Sequence, residues 1–267
     1  MSNDLEKDLN LGGSIDRALS GDYELNVGGI LKEAWLHTLQ NFFSFTPAII
    51  IVVLAQFFIF AFALHFKIGD IWLVFDALSQ PNKVTVEVLE AIMVANFSYE
   101  VISAPLIAGV SLMAMSHAAG ISTKTGDLAK GLHYTIAVII VTLISLLVQS
   151  ILGSIFPLLS FYVSIVFSKS ILLVCEKKLS PLQSLWVSFR AVNKKLLPIL
   201  ALYTITSIIF VFGALFYGIG LIFAVPFFFH VKGIIYRDMF GIKLKVIPKN
   251  KSNDKDDHDK NSQTFDA

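Results

Sequence analysis

Four ionisable residues interrupt long apolar runs of this 267-residue chain: Glu100, Lys169, His230 and Lys232. An ionisable group in hydrocarbon is costly, so each is a functional candidate by default. Together they suggest a polar path, with Glu100 as an outer gate and Lys169, His230 and Lys232 as an inner anion or headgroup site. The competing explanation is a boundary effect. Lys169 stands about 9 Å of helix short of Cys175, so a lysine there can snorkel to the interface. Lys232 lies nearer still to its helix end, and Glu100 can begin its helix at headgroup level. His230 is too short to snorkel and needs a hydrogen-bond partner, a cavity or apolar neighbours around a neutral ring. Gln56 and Gln149 are expected to bond between helices.

Other chemistry is absent from the sequence. It has no His-Glu-x-x-His, no Gly-x-Ser-x-Gly elbow and no phosphate-cradling glycine loop. Gly218-Ile-Gly220 sits in apolar surroundings unsuited to a nucleotide. Cys175 is the single cysteine, so no internal disulfide exists and packing is its expected role. His258 lies among Asp256, Asp257 and Asp259, a grouping expected to be a solvated tail rather than a metal site. A net charge of +1 argues against nucleic-acid binding. The expectation is a protein that is not an enzyme and has no cofactor or metal.

The elements that must position these residues are membrane spans. Apolar residues make up 55% of the chain and charged residues 15%, against roughly 25% charged in soluble domains. Crossing a bilayer core takes about 20 helical residues. Stretches of that size recur at 47–66, 97–119, 134–152, 155–175, 198–216 and 217–236. The predicted fold is therefore an all-α integral membrane protein, with six transmembrane helices in three hairpins and cytoplasmic amphipathic elbow helices. Residues 1–27 read as a polar cytoplasmic segment without the basic n-region of a cleaved signal. Residues 28–246 form the membrane domain. Residues 247–267, rich in Lys, Asn, Asp and Ser, are predicted to be a disordered cytoplasmic tail.

Charge sets the expected orientation. Of 21 lysines and arginines, only Lys67 and Lys83 fall on the side opposite the termini, while Lys169 and Lys232 lie within spans. By the positive-inside rule both termini are expected to face the cytoplasm. The outer loop, Lys67 to Ala95, carries an apolar face of Ile71, Val74, Phe75 and Leu78 and is expected to rest on the membrane.

Two stretches are amphipathic. From Gly29 to Ser44, Ile30, Ala34, Trp35 and Leu39 oppose Lys32, Glu33, His37 and Gln40. From Pro181 to Leu197, Leu182, Leu185, Trp186 and Phe189 oppose Gln183, Arg190 and Lys194. Such elbows are expected in the headgroup plane, apolar face down. Trp35 and Trp186 stand at the same separation as Pro47 and Pro198, and Pro105 and Pro226 at the same separation as Gly120 and Gly241. Leu128 to Leu132 gives a weaker third echo, and the pattern suggests a parallel repeat.

The phrase EKKLSPLQSLWVSFRAVN (Glu176 to Asn193), the exit IIYRDMFG (Ile234 to Gly241) and the six-span outline resemble bacterial inner-membrane proteins of the YciC-like kind. They also resemble the membrane domain fused to some glycerophosphodiester phosphodiesterases. No attached phosphodiesterase domain is expected, so that activity does not carry over and the resemblance implies only topology and a bacterial inner membrane. The function expected is a scaffold or envelope-homeostasis factor, and the alternative is a transporter or lipid-handling protein. Expected partners are membrane lipids, and other membrane proteins or a second copy through self-association.

Overall fold

The computed structural model describes residues 8–80, 84–215 and 217–245. The predicted tail, Lys83 and the end of the fifth predicted span at Phe216 lie outside the described residues. Most of what is described is helical, and five segments are long and apolar enough to cross a membrane. They are Phe42–Ile68, Val86–Ala118, Thr125–Ile155, Pro157–Lys177 and Leu196–Leu215.

The chain opens with strand β1 (Asp8–Leu11) and helix α1 (Ile15–Ser20). Within the N-terminal segment read as polar, β1 pairs antiparallel with β2 (Ile242–Lys245), Leu11 opposite Ile242. Two short strands with little alternation give no sequence signal of their own; pairing across the whole length of the chain makes them. Gly12 and Gly13 allow the close approach, because a Cβ at either would collide with the carbonyls of Arg237 or Met239.

Helix α2 (Val27–Gln40) starts at Asn26, whose side chain accepts from Gly29 N–H at 3.0 Å. After Asn41 the chain continues as α3 (Phe42–Ile68) and ends at Gly69, which has φ 76°. Short α4 (Trp72–Ser79) lies in the outer loop. Helix α5 runs Val86–Ala118, beginning before the second predicted span at 97–119, from a Thr85 cap whose hydroxyl accepts from Val88 N–H at 3.3 Å. Glu87 and Glu90 made its first turns look like loop. At 33 residues α5 is about 50 Å long, well beyond the roughly 30 Å hydrocarbon layer. Its last sixteen residues, from Ser103, are mostly buried within the protein.

A 3₁₀ segment, Thr125–Tyr134, folds back against α5 and leads into α6 (Thr135–Ile155). The fourth predicted span is broken into α7 (Pro157–Val166) and α8 (Ser170–Lys177). The break has a local cause in Ser188 of α9 (Pro181–Lys194). Its hydroxyl donates to Val166 C=O at 2.6 Å and accepts from Lys169 N–H at 3.3 Å, replacing two helical bonds. Helix α10 (Leu196–Leu215) and helix α11 (Leu221–Phe240) complete the bundle.

Helices α5 and α11 form the centre. Helix α11 packs against α2, α5 and α10, while α3 packs on α5 and α6 on α7. Outward faces of α3, α6 and α10 stay apolar and exposed, with Phe57, Phe58, Phe62, Ile151, Phe212 and Leu215 among them. The largest core joins α5, α8, α9, α10 and α11 through Leu112, Leu173, Val192, Leu202 and Ile235. Helix α2 also packs on α11 along one face. In α2, Ile30, Ala34 and Thr38 are buried and Trp35 is 46% exposed. The Glu33–His37 edge, expected in water, is half-buried against Arg237.

Candidate functional site

The four sequence candidates do not form one site. His230 and Lys232 are two positions apart on α11, about 200° around the helix, and so point to different sides.

His230 is 0% exposed and belongs to a hydrogen-bonded row joining three elements. Its Nδ1 lies 3.0 Å from Thr38 Oγ1 on α2, and its Nε2 lies 2.9 Å from His117 Nδ1 at the end of α5. His117 Nε2 in turn lies 2.8 Å from Thr123 Oγ1. Proton placement follows from the far end. Thr38 spends its one hydroxyl hydrogen on Ala34 C=O at 2.8 Å, so it accepts from His230 Nδ1–H. His117 Nδ1–H then donates to His230 Nε2, and the Thr123 hydroxyl donates to His117 Nε2. Both rings are neutral in this pattern and every ring nitrogen is engaged. Phe45 packs on both imidazoles, with centroids 4.6 and 5.2 Å away.

Lys169 does not snorkel. The break between α7 and α8 turns it inward, and its side chain is 0% exposed. Its ammonium reaches the Tyr203 hydroxyl at 3.3 Å and Lys232 C=O at 3.4 Å, and lies 5.5 Å from the Tyr203 ring centre. Lys232 is half-buried, with its own ammonium 5.5 and 5.7 Å from the Phe228 and Phe229 rings. Among the described residues neither lysine pairs with a carboxylate.

Glu100 is not at a helix start. Ten positions separate it from Glu90, which pairs with Lys67 at 3.6 Å, and that is about 15 Å along the helix. The residue is exposed and lines a small, partly open cavity of about 160 Å³ with Gln56, Ser103 and Thr142. Gln56 bonds between helices as expected, donating to Ser103 Oγ at 3.1 Å.

Two further clusters tie α11 to the ends of the chain. Arg237 grips both oxygens of Glu33 on α2 and donates to Ala118 C=O at 2.9 Å and to Asp238. Burial opposes ionisation of Glu33, but the Arg237 hydrogen bond and charge, with a contribution from His37, hold its carboxyl below the ordinary value. Glu176, almost fully buried, accepts from the Tyr236 hydroxyl at 2.8 Å, Lys177 Nζ at 3.0 Å and Lys243 N–H at 3.1 Å. This fixes the start of β2 against α8.

Sequence reading singled out His230 but missed His117, Thr38 and Thr123. A second histidine close to the inner end of a predicted span was the available signal. The pairing of Glu33 with Arg237 left none, since each read as a surface charge. Among the described residues no group of three or more His, Cys, Asp or Glu side chains could hold a metal ion. Comparison of the chain with family models, curated proteins and solved structures finds no match.

Proposed function

We propose that this chain is a non-catalytic, multi-pass inner-membrane protein that acts as a scaffold or envelope-homeostasis factor. The observation that carries the proposal is the state of its buried polar groups. His117 and His230 spend all four ring nitrogens on protein partners, and Lys169 is enclosed by Tyr203 and Lys232. Such groups join α2, α5, α8, α10 and α11 into one layer, and neither histidine keeps a free ring nitrogen for a substrate. An apolar belt around that layer would contact lipids, other membrane proteins or a second copy.

Topology follows the same reasoning. The β1–β2 pairing sets the N-terminal segment beside the exit of α11, which supports an even number of crossings. Five candidate spans are odd in number, and α11, which carries Lys232, Arg237 and Asp238, supplies the sixth. Both termini then face the cytoplasm, as the basic residues require. The six-span outline and its elbows remain the basis for a YciC-like relationship.

A second reading, transport or lipid handling, is favoured by one observation: the Glu100 cavity. Complementation separates the two readings. In cells lacking the native copy, His230→Leu and Lys169→Met proteins that accumulate in the membrane should restore the envelope phenotype. Abolished function at normal abundance would favour transport. In the same cells, with Cys175 replaced by serine, a cysteine at Gln80 should react with an impermeant thiol reagent and one at Glu24 should not. The reverse labelling would overturn the orientation.

A further inference from the structure

The Glu100 cavity is lined mainly by oxygen-bearing side chains on its polar side. Its polar lining is Glu100, Gln56, Ser103 and Thr142, set between α3, α5 and α6, and Ile107 and Ile171 complete the wall. Gln56 Nε2 donates to Ser103 Oγ, so the amide places its carbonyl oxygen as the unused end. Thr142 Oγ1 is buried with no hydrogen-bond partner. A buried hydroxyl in that state costs about 1–3 kcal/mol unless something satisfies it. The Glu100 carboxylate likewise has no ion pair and no hydrogen bond among the described residues. Oxygen atoms from three helices thus converge on a partly open cleft, Glu100 itself being exposed, and among the described residues no protein cation answers them.

We propose that this cavity binds one hard monovalent cation of about sodium size. Oxygen-only donors select hard cations over zinc, copper or iron, which favour imidazole and thiolate. A single carboxylate balances a single positive charge. A divalent ion would leave an uncompensated charge in a low-dielectric setting. The volume, about 160 Å³, is well above the space, about 10–15 Å³, that a single water needs. That is room for an ion held by side-chain oxygens and a few retained waters. Ion binding would complete the Thr142 hydroxyl and neutralise Glu100 together, and fasten α3, α5 and α6 at that depth. The site is independent of the scaffold reading, because a bound ion can stabilise the bundle without crossing it.

The test uses the full chain in lipid nanodiscs with radiosodium as the probe. Saturable binding of one equivalent per chain is expected, displaced by unlabelled sodium or lithium and not by choline. Glu100→Gln should weaken binding at least about tenfold, the equivalent of about 1.4 kcal/mol. Thr142→Val keeps the carboxylate and removes a hydroxyl that bonds to no protein group. It should also weaken sodium binding several-fold while leaving the sodium-free melting temperature unchanged or raised, since it removes that unsatisfied hydroxyl. Absence of saturable sodium binding to the parent protein would overturn the proposal. So would binding of equal strength in both variants, or a response to pH with none to sodium.

Discussion

Gly109→Ala should prevent this protein from reaching its native packing, and Gly131→Ala should do the same. At Gly109 a Cβ would collide with the Leu128 carbonyl, and at Gly131 with the Pro105 carbonyl and the Gly109 amide. These are backbone-to-backbone contacts, where the 3₁₀ segment lies directly on α5, so no side chain can rotate away. Overpacking of well-filled cores costs about 1–3 kcal/mol when neighbours can shift. Here the neighbours are two backbones, and a loss above about 4 kcal/mol is expected. Gly126 lies in the same segment with open space around it and no positive φ, so Gly126→Ala should change stability by less than about 0.5 kcal/mol. Melting temperature and monodispersity in detergent measure all three. Equal stability of the Gly109 and Gly126 variants would mean that the segment does not pack on α5 as described.

Arg237→Met is expected to have the next largest effect. The guanidinium holds Glu33, Asp238 and the Ala118 carbonyl, and methionine replaces only its apolar stem. Removing one partner of a buried ion pair costs about 3–5 kcal/mol. Glu33 is 35% exposed here and Arg237 18%, so about 2–3 kcal/mol is expected after solvent screening. The pH dependence has a definite sign. The folded carboxyl of Glu33 titrates below its ordinary value. Its contribution is therefore full above the unfolded carboxylate range, near pH 4.3, and is lost as pH falls through the lowered folded value. Thermal denaturation across the acid range should show this loss in the parent protein and a shallower one in Arg237→Met. Identical acid slopes would remove Glu33 from the account.

Much of the architecture was legible because it rests on composition and period. Apolar runs locate α3, α6 and α10, and the amphipathic patterns locate α2 and α9. Prediction failed where distant partners decide the local structure. Helix α5 begins early because a Thr85 cap and packing on α3 outweigh Glu87 and Glu90. The break at Lys169 depends on a serine nineteen positions further on. β1 exists only because β2 lies beside it. The same reason limits the site. His230 was marked by its cost in an apolar setting, but its partners come from an elbow helix and the far end of α5. No spacing rule connects Thr38, His117 and His230, and only the tertiary fold turns three unrelated polar residues into one row.

Carbethoxylation of histidines by diethyl pyrocarbonate, mapped by mass spectrometry on the folded protein in nanodiscs, tests the central claim most directly. The reagent attacks a free, neutral imidazole nitrogen that water can reach. His133 is exposed and serves as the internal reference, whereas His117 and His230 are buried with their nitrogens engaged. If the buried polar groups lock the bundle, His133 should be modified while His117 and His230 stay unmodified until the protein unfolds. Modification of His230 at a rate comparable to His133 in folded protein would reveal a water-filled path through the bundle and contradict the scaffold reading.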